Sequence, residues 1–257
     1  MNRRLLQSGF TLIELAIVLV IIGVLAGSFI STLSSRIDNT RSADTRDQLK
    51  IIKQALLGYA YTSPGNLPCP DCRSLLACPG GLANDGIEDR VAGGANQGTC
   101  SVGNSVGNLP WVTLGLGRED AWGNRYRYWA DNSFARDGTG AAPNDRKFDF
   151  SDVAAGTVLN RINDGTATQV IASQVAAVVF SQGKNGYGAI SSSNVVQPAI
   201  PAANVDEADN ADNNLTFVDR APTTADAGTD GGEFDDIVIW LPEYELKARM
   251  LDAGILP

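Results

Sequence analysis

Residues 10–30 read FTLIELAIVLVIIGVLAGSFI, 21 positions that carry one charge, Glu14. A helix of this length rises about 30 Å, the depth of a bilayer's hydrocarbon core. The run therefore predicts a membrane span. Arg3 and Arg4 precede it, and basic residues hold the adjoining end in the cytoplasm. The rest of the chain then lies on the far side of the membrane. Ala26, Gly27 and Ser28 supply the small residues of an ordinary cleavage site. The run is longer than the apolar region of a cleaved signal, however, so a signal anchor is the plainer reading.

Glu14 does not fit a plain anchor. A carboxylate in hydrocarbon costs several kcal/mol unless it is neutralised or paired, and an acid inside a span points to function. The nearest partner is an α-amine, created if the chain is cut just before the apolar run.

Residues 8–15, SGFTLIEL, combine a short basic leader, Gly9, Phe10, Glu14 and an unbroken apolar helix. This constellation resembles the processing site of type IV prepilins and type II secretion pseudopilins. The resemblance implies that a prepilin peptidase cuts between Gly9 and Phe10 and methylates the Phe10 amine. It implies that Glu14 meets the Phe10 amine of a neighbouring subunit during assembly. Its implied partners are other pilin or pseudopilin subunits, the prepilin peptidase, an inner-membrane assembly platform and the membrane itself through residues 10–30. An amine and a carboxylate are each expensive in lipid, and pairing offsets part of both costs. The implied place is the inner membrane, single-pass with a periplasmic head, and then a periplasmic or extracellular filament.

The helix is expected to continue past the membrane. Residues 31–61 contain no proline and one glycine, Gly58, and Leu49, Ile52, Leu56 and Tyr59 recur at helical spacing. The expected organisation is a leader at 1–9, a stem helix at 10–62 and a head at 63–257, with a polar, loop-like insertion at 188–230. Within the head, residues 125–130 (RYRYWA), 174–180, 214–219 and 234–241 read as strands, and 243–253 as a terminal helix stopped by Gly254. The expected fold is α+β and pilin-like, a long N-terminal helix packed on an antiparallel sheet.

Cys69, Cys72, Cys78 and Cys100 fall just after the stem. Four cysteines can hold zinc, but this spacing lacks the paired C-x-x-C form, and the CPDC spelling lacks a redox fold's context. Export favours disulfides. Of three connectivities, the expectation is Cys72 with Cys78 and Cys69 with Cys100.

Two further stretches resemble the major pseudopilin of type II secretion, though this chain is larger. Residues 120–128 (DAWGNRYRY) match its D-x-WGNxYxY segment; the turn chemistry of Asp120, Gly123 and Asn124 is a sufficient structural account. Residues 180–186 (FSQGKNG) and 231–237 (GGEFDDI) are similar to its two calcium-holding segments. Carried over by position, the implied ligands are Asn185, Asp235, Asp236 and the Gln182 carbonyl, a hard oxygen set suited to Ca²⁺. Asn185 replaces an aspartate, and residues 187–230 part the two halves.

Exclusions complete the reading. The chain has no histidine, so no His-based relay or metal site exists. Its 20 basic against 29 acidic residues argue against nucleic acid. Asp235 and Asp236 are adjacent, and neighbours on a strand point to opposite faces, so they are not expected to converge. No enzyme is expected. A structural filament subunit is the first reading, minor because of its size. A tip-displayed adhesin or binding module is the alternative, ahead of a membrane-anchored exported enzyme.

Overall fold

The structure is a computed structural model that describes residues 11–63, 66–74, 78, 82–93, 97–103, 106–136, 148–161, 168–224 and 231–256. The chain divides into two compact units, Met1–Arg41 and Ser42–Pro257. Helix α1, Leu12–Thr62, runs through 51 residues and contributes to both.

In the first unit, α1 has no proline to break it and carries apolar side chains on every side. Leu12 is 89% exposed, and Ile13, Val20 and Val24 are also exposed. A helix apolar all round is built for burial in lipid or among other helices. Among the described residues no helix is long and apolar enough to cross a membrane.

In the second unit, α1 is amphipathic. Leu49, Ile52, Leu56 and Ala60 lie on one face and are buried. The elements that follow are β1 (Gly107–Asn108), α2 (Trp111–Leu114), β2 (Arg127–Ala130), α3 (Asn132–Ala135), β3 (Gly156–Arg161), β4 (Thr168–Ser181), α4 (Val205–Ala211), β5 (Thr216–Val218), β6 (Ile237–Pro242) and α5 (Glu243–Asp252). The unit is mixed α+β with a curled sheet. Among the described residues six strands form it in the order β1-β2-β4-β3-β5, with β6 on the other edge of β4.

The expectation of a purely antiparallel sheet is corrected here. β3 and β5 are parallel, with Val158 opposite Phe217. Parallel neighbours need a long crossover, and β4 with the insertion supplies it.

Alternation along the strands makes two cores. Tyr126, Tyr128 and Ala130 join the α1 side chains in one. Trp129, Val178, Phe180 and Phe217 fill the other. Arg127 points into this second side. It is fully buried, donates to the Gly107 and Val106 carbonyls at 3.0 and 3.2 Å, and loses proton affinity through desolvation.

The insertion is not the loose loop expected from its composition. It contains helix α4, whose buried face is polar: Asp206, Glu207 and Asn210. Each is anchored. Arg220 Nε donates to Asp206 at 2.6 Å. Asn210 donates to the Val218 carbonyl at 3.1 Å and accepts from the Val218 amide at 2.7 Å. Gly231 and Gly232 have φ of +94° and +78°. A Cβ on Gly231 would sit 2.2 Å from the Asp206 carboxylate, so only glycine lets this segment reach α4.

Candidate functional site

Two places carry the chemistry anticipated from the sequence. The first is the start of α1. Gly9 and Phe10 lie outside the described residues. Thr11 caps the helix, and its amide and hydroxyl donate to Glu14 Oε2 at 2.9 and 2.8 Å. The Glu14 amide returns a bond to Thr11 Oγ1 at 3.3 Å. This is a reciprocal capping box, which satisfies free donors of the first turn. Glu14 therefore has a partner within its own chain, one that a search for opposite charges does not reveal. The T-x-x-E spelling at the head of an apolar run was the signal for it.

The second place is the meeting of the 182–187 turn, α4 and the segment before β6. Carboxylate oxygens of Glu207, Asp235 and Asp236 lie within 4.8 Å of one another. Asp235 and Asp236 thus converge, against the expectation for adjacent strand residues, because both precede β6 and are not in extended pairing. Glu207 was missed by sequence reasoning. It arrives from α4, in the stretch read as a loop.

The polar neighbours fix these acids closely. Asp235 Oδ2 accepts from the Asn185 amide at 2.8 Å. Glu207 accepts from the side chains of Asn185 and Asn204 at 2.6 and 2.9 Å. Asp236 accepts from Asn210 at 2.8 Å. Asp235 Oδ1 is buried and has no hydrogen-bond partner. The other two expected ligands shape the turn: the Gln182 carbonyl accepts from the Gly186 amide at 3.0 Å, and Asn185 Oδ1 accepts from the Tyr187 amide at 3.0 Å.

Three acids this close cannot all ionise cheaply. Burial, with Glu207 and Glu233 nearby, pushes the Asp235 carboxyl up to about 7. Burial also raises Glu207 and raises Asp236 well above the usual carboxylate range. A cavity of about 410 Å³ lined by Lys184, Thr223, Glu233 and Asp235 adjoins them. The arrangement can take up protons or hold a hard cation.

The 120–128 stretch is a turn at 120–124 that leads into β2 and locks the sheet. Asp120 Oδ1 accepts from the Trp122 and Asn124 amides at 2.9 and 3.0 Å, and Oδ2 accepts from Ser181 Oγ at the end of β4. All four cysteines are in disulfides, Cys69–Cys100 and Cys72–Cys78. The Cys72 amide donates to Asp89 at 2.7 Å, which ties the smaller loop to the segment at 84–90.

No curated protein and no solved structure matches the chain. Residues 4–30 match the family model of the prokaryotic N-terminal methylation motif. That match supports a type IV pilin-like family, and it marks the chain as a type IV pilin-like substrate of prepilin peptidase.

Proposed function

We propose that the chain is a minor structural subunit of a type IV pilus or type II secretion pseudopilus. In this reading the leader at 1–9 is removed between Gly9 and Phe10, and the Phe10 amine is methylated. Residues 10–30 hold the subunit in the inner membrane with its head in the periplasm. An assembly platform then draws it into a filament, where Glu14 pairs with the Phe10 amine of a neighbour. The observation that carries the reading is the methylation motif at residues 4–30, continued by the apolar surface of α1. The size supports a minor place: 248 of the 257 residues remain after the cut, a large head for a shaft subunit. Removal of Arg3 and Arg4 leaves 18 basic against 29 acidic residues, so the acidity belongs to the exported part.

The test is N-terminal analysis of the exported protein. A start at N-methyl-Phe10 is expected; an intact Met1 would overturn the reading. Glu14→Ala is expected to insert in the membrane yet enter filaments poorly.

We further propose a structural Ca²⁺ at the acidic cluster. The support is chemical: the donors are oxygens, and Asp235 Oδ1 is buried without a partner. Asp235, Asp236 and Glu207 would hold the ion. Asn185 and the Gln182 carbonyl would join only by exchanging their present bonds in the turn. Bound there, the ion would supply positive charge that lets these carboxylates ionise together.

A further inference from the structure

Arg127 lies on the face of the sheet turned away from α1. Strand pairing fixes this. Arg127 is opposite Asn108 on β1 and Phe180 on β4, and directly paired residues share a face. Phe180 belongs to the second core, whereas the α1 side chains belong to the first. Asp71 continues the row through its bridge to Asn108. Arg73 follows two residues later, and its charge acts on Arg127.

Both guanidiniums are held out of water without an acid. Arg127 is 2% exposed. Its Nε and Nη2 serve the Gly107 and Val106 carbonyls, and its Nη1 is buried with no hydrogen-bond partner. Arg73 is half-buried. Its Nη2 donates to the Gly188 carbonyl at 2.6 Å, and its Nε is buried with no partner. Neither forms a salt bridge among the described residues. Around Arg127 the repulsion from Arg73 outweighs the attraction of Asp236, and Asp236 is itself bonded by Asn210.

Gln182 completes the group. It lies two residues beyond Phe180, the β4 partner of Arg127, and is 2% exposed. Its Nε2 donates to the Tyr187 carbonyl at 2.5 Å, while its Oε1 is buried with no partner. Gly188 sits between Arg73 and Gln182: its carbonyl receives Arg73, and a Cβ on it would lie 3.1 Å from Gln182 Nε2. Two unused N–H donors and one unused carbonyl thus gather where residues 187–200 cross the sheet. That covering segment, YGAISSSNVVQPAI, has no charged residue and brings no counter-ion.

A water molecule would satisfy these hydrogen bonds but not the charge. Arginine keeps its proton even when buried, and buried like charges without an anion are costly. An oxyanion answers both needs, because the guanidinium fork matches its oxygens. Gln182 Oε1 narrows the choice, since it requires a hydrogen from the ligand. Hydrogen phosphate keeps one at neutral pH. Sulfate, chloride and phosphodiester headgroups have none.

We propose that hydrogen phosphate binds between Arg73 and Arg127, donates to Gln182 Oε1 and pins the start of the insertion to the sheet. Half-buried Arg73 and Gly188 form its entrance. The site uses the Gln182 side chain and not its carbonyl, so it stands apart from the acidic cluster. It does not rest on the subunit reading.

The test titrates inorganic phosphate, sulfate and chloride into the full-length chain in detergent, in calcium-free buffer at constant ionic strength. Heat and the unfolding midpoint are followed. Sulfate and phosphate both stabilise proteins by exclusion from their surfaces, so the readout is the excess of phosphate over sulfate. Saturable phosphate binding is expected, with sulfate weaker. Arg73→Gln, at a half-buried position, should weaken phosphate binding about tenfold or more, and Arg118→Gln, on the exposed loop before Asp120, should leave it unchanged. Phosphorus NMR of the wild-type protein gives a reading that needs no variant to fold, and a bound resonance is expected. No heat and no bound resonance would overturn the proposal. Equal binding of sulfate would overturn it too, as would Arg73→Gln binding phosphate as tightly as the wild type, which would mean an adventitious ion only.

Discussion

Arg220 Nε donates to Asp206 Oδ2 at 2.6 Å, with side chains only 2% and 0% exposed. Arg220 also lies 4.6 Å over the Phe234 ring and donates to the Gly232 carbonyl at 2.9 Å. This one guanidinium fastens α4 to the segment that carries Asp235 and Asp236. Removing either partner strands a buried charge, which costs about 3–5 kcal/mol. Asp206→Ala is expected to lower the head's stability by that amount in chemical denaturation. An unchanged midpoint would show that the pair is neutral to folding.

Cation binding at the acidic cluster is expected to depend on pH. Protons compete with the ion for Asp235, whose carboxyl burial raises to about 7. Affinity for Ca²⁺ should therefore weaken as pH falls through about 7. Calorimetry of the full chain at pH 8 and pH 6, with Asp235→Asn and Glu207→Gln as controls, checks this. No heat at either pH ends the calcium proposal.

Asp71 gives a second pH effect. Its carboxylate accepts from the Asn84 and Gly86 amides at 3.0 and 3.1 Å, yet burial, with Asp85 and Asp89 nearby, pushes it up to about 7. The folded state then holds a proton that the unfolded state releases from about pH 4 upward. By linkage, stability contributed here is present at low pH and is lost as pH rises from about 4 to about 7. Asp71→Asn should flatten that part of the stability profile of the metal-free protein, measured by urea unfolding across this range.

The two disulfides close loops of different size, with sequence separations of 31 and 6. Loop-closure entropy assigns about 3.7 kcal/mol to the larger and about 2.2 kcal/mol to the smaller. Cys100→Ser with Cys69→Ser should lower the unfolding midpoint more than Cys72→Ser with Cys78→Ser. Equal losses would place the stabilisation in local contacts instead.

Thr11→Val removes the hydroxyl from the capping box and leaves β-branched shape behind. Loss of an N-cap costs about 1 kcal/mol in an aqueous helix. The variant should therefore remain inserted and processed but show fraying at the first turn by amide hydrogen exchange in detergent. Unaltered exchange would assign the cap to the backbone alone.

Much of the head could be read from its letters because its core elements follow apolar patterns. The alternation of Tyr126 and Tyr128 against Arg127 and Trp129 announces β2. The apolar run ending at Phe180 announces the buried half of β4. Helix α4 could not be read that way. Its buried face is Asp206, Glu207 and Asn210, so hydrophobic periodicity sees only a polar stretch. What holds it is its own N-cap residue Asn204, the Val218 backbone, and the Arg220 and Asn185 side chains. The first half of β4 escaped for the opposite reason: Gln169, Val170, Ile171, Ser173 and Gln174 are all exposed, so the strand has no alternation to show. The convergence of Asp235 and Asp236 was hidden because β6 begins at Ile237, three residues later than the apolar pattern suggested.

Asn210 has a consequence for how the insertion can change. Its amide presents one donor and one acceptor to Val218, as the backbone of an adjoining strand would. The insertion thus supplies the last row of the sheet, using a side chain where other folds use main chain. It cannot be trimmed as a decorative loop would be. A shortened chain would need another residue with the same two-headed amide at that spot, or it would bare β5 and become sticky.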